Sequence, residues 1–101
     1  MKYLIHEVLR AKRGKVPEIM GDIKAVNDIF IASGNTTGRI YADMTGSFDT
    51  VVFDFEVDSL DQFYAWERGA YVDPTPEFAL LAAHLNENSV IASREIYEVI
   101  L

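Results

Sequence analysis

At 101 residues, half of them apolar and a quarter charged, the chain has the composition of one globular domain with a modest core, not of a disordered or fibrous protein. Sixteen Asp and Glu against nine Lys and Arg leave a net charge of −7, which repels phosphate backbones and anionic bilayers and argues against nucleic-acid or membrane partners. Cysteine is absent, which excludes disulfides, thiol catalysis and zinc–thiolate centres.

The opening "MKYLIHEVLRAKRGK" places charge where the apolar run of a signal peptide would continue, and no later apolar run reaches membrane-spanning length. A cytoplasmic protein is expected. In "KYLIHEVLRA" (Lys2 to Ala11), Tyr3, Ile5 and Leu9 alternate with Leu4 and Val8, as in a strand with both faces occupied. "KRGK" turns the chain. Val16, Ile19, Met20, Ile23, Val26 and Phe30 then recur at three- and four-residue steps, which predicts an amphipathic helix of about four turns. Pro17 suits its first turn, Gly34 its C-terminal stop, and Gly21 is expected to mark a close backbone contact.

"TGRIYADMTG" reads as a second strand, joined by a short turn at "GS" (Gly46, Ser47) to a third. On that third strand, residues 51, 53, 55 and 57 are Val, Phe, Phe and Val, whereas 50, 52, 54 and 56 are Thr, Val, Asp and Glu. Ser59 to Gln62 forms a capping box before a helix that carries Leu60, Phe63, Tyr64 and Trp66. "DPTPE" breaks this helix and starts another, with Thr75 as cap and Pro76 in first position, followed by Phe78, Leu81, Ala82 and Leu85. "VIASREIYEVIL" is a final strand.

The order β-α-β-β-α(α)-β predicts a single α+β domain spanning residues 1–101, of ferredoxin-like βαββαβ type, with helices on one face of a four-stranded antiparallel sheet. The helices cover only that face. Both parities of the third and fourth strands carry large apolar residues, so the second face is expected to be buried against another copy of the chain. An obligate homodimer interface of roughly 2,000 Å² or more follows.

"RAKRGKVPEIM" and "GRIYADMTGSFDTVVFDFEVDSLDQFYAWERG" resemble the strand–turn–helix opening and the central signature of NIPSNAP-like proteins. The matching positions are Gly38, Tyr41, Gly46, Phe48, Val51, Ser59 and Leu60. The chain departs from the pattern in lacking the Trp usual in the second strand, in having Asp49 near the usual Asn, and in having Glu7 where an Arg is common. The resemblance implies a dimeric α+β barrel, with a ligand pocket between helices and sheet in each subunit and the other sheet face against the partner. That fold hosts many chemistries and carries little functional information alone.

Four cations, Arg10, Lys12, Arg13 and Lys15, crowd the approach to the first helix; Arg10 and Arg13 are candidate anion-binding residues there, with solvated loop cations as the plainer alternative. His6, Tyr41, Asp54 and Trp66 are the candidate ligand-binding residues. A His among apolar residues titrates near neutrality and serves as a general base, although a hydrogen-bonded core or interface His is commoner. Tyr41 and Asp54 belong to strands that should pair, giving a Tyr–carboxylate unit that either orients a phenolic substrate or simply ties the sheet. His84 is expected on the surface, and Arg94 and Glu95 in cross-strand ion pairs. The two His residues lack metal-ligand spacing, and no phosphate loop or nucleophile elbow is present, so neither metal nor cofactor is expected. Two functions remain open: a non-catalytic binding or assembly module for a small, partly apolar molecule, and a cofactor-independent monooxygenase or isomerase acting on an aromatic or polyketide-like substrate.

Overall fold

The first strand of the chain lies in the middle of the sheet. In the computed structural model, which describes residues 1–35 and 37–101, β1 (Lys2–Ala11) pairs with β3 (Thr50–Val57) on one side and β4 (Ser89–Val99) on the other. β2 (Arg39–Ala42) lies beyond β3, and every neighbouring pair is antiparallel. The period of two then sorts the residues. Ile5 opposes Phe55 and Ile96, Glu7 opposes Phe53 and Arg94, and Leu9 opposes Val51 and Ala92; this row faces the helices. The alternate row, with His6 between Asp54 and Glu95 and Leu4 between Glu56 and Tyr97, faces away.

The apolar stripe predicted from Val16 onward forms α1 (Val16–Ala32), which buries Ile19, Ile23 and Phe30 against the sheet. α2 (Leu60–Val72) starts at Ser59, whose hydroxyl accepts from the Gln62 amide at 3.2 Å, and inserts Phe63 into the core. α3 (Pro76–Asn88) starts at Thr75, whose hydroxyl accepts from the Phe78 amide at 3.2 Å. It lies against α1, to which His84 is tied through Asp22. His84 is therefore an inter-helix clip as well as a partly exposed residue. Ile5, Ile19, Val51 and Phe53 are fully buried, each stabilising the fold by roughly 1.5–3 kcal/mol through area removed from water. No helix among the described residues is long and apolar enough to cross a membrane.

Two local expectations are corrected. The β2–β3 connection is not a two-residue turn. It spans residues 43–49, with Asp43 exchanging bonds with Thr50 (Asp43 N–H to the Thr50 carbonyl at 3.2 Å, Thr50 N–H to Asp43 Oδ1 at 3.1 Å) and with Asp49 at φ 64°. The acidic side chain closes the loop, so the strand ends at Ala42 and not at Gly46. Gly21 meets open space, and the close approach occurs at Gly38 instead, where an added Cβ would enter the Phe53 ring and lie 2.9 Å from the Asp54 carbonyl oxygen.

Candidate functional site

Between the three helices and the helix-facing row of β1, β3 and β4 lies a cavity of about 390 Å³, within the range of small-molecule sites. Small side chains at Ala70, Ala82, Ala92 and Ser93 leave the space open. Its walls are aromatic. The Phe30 ring lies 4.5 Å from that of Phe55 and meets Trp66 edge-on at 5.5 Å, and Trp66 meets Phe78 at 6.0 Å. Such contacts bury large flat areas and make the lining predominantly aromatic.

A three-residue ion network stands in this wall. The register sets Glu7 directly opposite Arg94, and α2 brings Glu67 over both. Arg94 donates from Nε to Glu7 Oε2 at 2.8 Å and from Nη2 to the same oxygen at 2.5 Å, and from Nη1 to Glu67 Oε1 at 2.6 Å. Its guanidinium also lies 5.2 Å from the Phe63 ring centre. The Glu7, Glu67 and Arg94 side chains are 24%, 17% and 29% exposed, so the network is shielded yet still in reach of the cavity. Burial pushes the Glu7 carboxyl above its ordinary range; Arg94 pulls the other way by charge and hydrogen bond, and Glu67 adds a like charge. Burial alone would weaken the Arg94 charge, but its bonds to Glu67 and Glu7 outweigh that and hold it above its usual value. A carboxyl with a raised pKa beside an aromatic cavity is placed to exchange a proton with whatever enters it.

The structure separates the expected site residues into two sets. Tyr41 donates to Asp54 Oδ1 at 3.2 Å, and His6 Nδ1 lies 3.4 Å from Asp54 Oδ2, so these three meet as one polar cluster. His6 also meets Tyr97 edge-on at 6.4 Å. The cluster sits on the sheet face that carries no helix. Trp66 lies on the opposite side, in the cavity wall. A single pocket shared by His6, Tyr41 and Trp66 is therefore not formed within one chain, because β1 position 6 and β2 position 41 have the parity that points away from α2. Arg10 is exposed at the end of β1 on the helix-free face. Arg13 is already engaged, with Nε 3.2 Å from Asp49 Oδ2 and its guanidinium 5.4 Å from the Phe48 ring centre.

Glu7 and Glu67 were not among the expected site residues. A signal for Glu7 exists in hindsight: it interrupts the apolar row Ile5–Leu9, as Arg94 interrupts Ala92–Ile96. The ion pair expected for Arg94 across strands is present, with Glu7 as partner, whereas Glu95 lies beside His6 on the other face.

Sheet order and helix placement make this a ferredoxin-like α+β domain. No protein-family model and no curated protein matches the chain. In structure it is NIPSNAP-like: a NIPSNAP family protein from Agrobacterium tumefaciens superposes with a TM-score of 0.78 at 15% identity, over 97% of this chain and 92% of that one. SnoaB, a cofactor-independent oxygenase from Streptomyces nogalater, gives 0.75 at 12% identity over 99% and 94%. A dimeric protein of ferredoxin-like fold and unknown function from Bacteroides fragilis gives 0.68 at 18% identity over 97% and 96%. At such identities the likeness shows a common fold and not a common chemistry.

Proposed function

We propose that the chain is a NIPSNAP-like binding or assembly module that takes a small, partly apolar molecule into the cavity between helices and sheet and pairs with a second copy as a dimeric α+β barrel. The aromatic-walled cavity of about 390 Å³ carries this reading. Support for the dimer comes from the helix-free sheet face, where Tyr41, Ile91 and Tyr97 are 42%, 65% and 47% exposed. Residue Trp66 supplies the test, because it is the sole Trp and its indole N–H gives one resonance. Titration with 2-naphthylmethanol should shift that resonance saturably; an unmoved indole together with no heat of binding would sink the cavity reading.

One observation favours a second reading, in which the module is an enzyme. Glu7, with its carboxyl raised by burial, stands at the cavity wall where it would accept a proton from an acidic aromatic substrate. In a cofactor-independent oxygenation of that type, dioxygen would react with the carbanion so formed. Under this reading Glu7→Gln abolishes oxygen uptake with a phenolic substrate while binding persists, and uptake unaffected by that change would remove Glu7 from the chemistry.

A further inference from the structure

Two carboxylates share one guanidinium in the cavity wall, and that imbalance bears on what the cavity holds. Among the described residues lining it, Glu7, Glu67 and Arg94 are the charged ones. Arg94 spends Nε and Nη2 on Glu7 and Nη1 on Glu67. When all three are ionised, one negative charge is left over.

We infer that the occupant of the cavity is a cation, a protonated amine carried on a flat aromatic or apolar body. The inference rests on the cavity being a ligand site, as proposed above, and names the ligand class. Three observations converge on it. The surplus charge attracts a cation and repels an anion in a shielded place where such interactions are stronger than in water. The rings of Phe30, Trp66 and Phe78 line the cavity, and an aromatic quadrupole also favours positive charge. One ring of the same wall already does so, since Phe63 carries the Arg94 guanidinium at 5.2 Å. An anion would find the Arg94 nitrogens already engaged. The net charge of −7 on the whole chain further favours cation approach.

The groups facing Glu7 make the preference depend on pH. They are Arg94 from β4 and Glu67 from α2; its β3 neighbour is Phe53, which is uncharged. When Glu7 takes up its proton, the surplus negative charge is gone, and an entering cation draws that proton off.

The experiment compares three probes with one ring: 2-naphthylmethylamine, 2-naphthylmethanol and 2-naphthoate, titrated by calorimetry and by the Trp66 indole resonance at neutral pH and low salt. The amine should bind at least about tenfold tighter than the alcohol, with the carboxylate weakest. In Glu67→Gln, checked for an intact melting transition, the amine should lose most of that advantage while the alcohol keeps its affinity. Acidification should erase the advantage in the native chain, and in Glu7→Gln it should already be small at neutral pH. Equal or tighter binding of the carboxylate overturns the inference, as does an amine preference untouched in both variants. If all three probes fail to bind, the ligand-site reading falls with it; if the alcohol binds and the amine binds no better, only the cation falls.

Discussion

Replacing Arg94 with Met keeps the length and apolar stem of the side chain but leaves Glu7 and Glu67 facing each other without a cation. Both carboxylates are mostly shielded, 24% and 17% exposed; Glu7 loses two bonds, of 2.8 and 2.5 Å, and Glu67 one of 2.6 Å. Breaking a fully buried pair costs about 3–5 kcal/mol, whereas an exposed pair contributes about 0–1. This network lies between, so Arg94→Met should cost about 2–3 kcal/mol at neutral pH. For a domain of this size that corresponds to a fall in Tm of roughly 10–20 °C. The pH dependence has a definite sign. Burial raises the Glu7 carboxyl above 4.5 in the folded chain, and losing Arg94 raises it further. A raised acid contributes stability below its unfolded value and loses it as pH climbs through its folded value. The deficit should therefore be small near about pH 4, where the Glu7 carboxyl takes up its proton, and grow toward about pH 8. Thermal melts by circular dichroism, at one fixed chain concentration, measure this directly. A variant that melts with the native chain at neutral pH, or a deficit that grows on acidification, would refute the account of the network.

Val52→Asp places a charge on the helix-free sheet face and should convert a dimer of the 11.4 kDa chain into monomers by light scattering; a native chain already monomeric and folded at micromolar concentration would end the barrel proposal. Gly38→Ala should cost about 1–3 kcal/mol in urea melts, because the new methyl meets the Phe53 ring and the Asp54 carbonyl oxygen; an unchanged midpoint would show that Phe53 moves aside freely. Tyr41→Phe loses a half-exposed hydrogen bond to Asp54 and should cost under about 1 kcal/mol. It should also leave 2-naphthylmethanol binding unchanged, and a loss of that binding would move the ligand to the opposite face of the sheet.

The elements were legible because their periods are strong. The three- and four-residue steps from Val16 to Phe30, the caps at Ser59 and Thr75, and the alternation around Phe53 all reappear in the structure. The β2–β3 connection was misread because a side chain, Asp43, and a residue at positive φ, Asp49, close it, and neither carries the Gly signature of a tight turn. The grouping of His6, Tyr41 and Asp54 could be read from strand pairing alone. Placing Trp66 with them could not, since the rotational phase of α2 and the parity of the sheet are related only through tertiary packing. The same limit hid the network: Glu7 and Arg94 meet only in one register of β1 against β4, a pairing that shifts at Arg10 and Ala11.

The central place of β1 also has a consequence for biosynthesis. Its two neighbours are supplied by the third and fourth strands, and β4 begins only at Ser89. While the chain is being made, β1 waits for β4 to leave the ribosome, with the amides and carbonyls of its β4 side unpaired. Glu7 waits equally long for its guanidinium. A strand edge held open until β4 has been made is where a chaperone, or another nascent copy of the same chain, would first gain a hold.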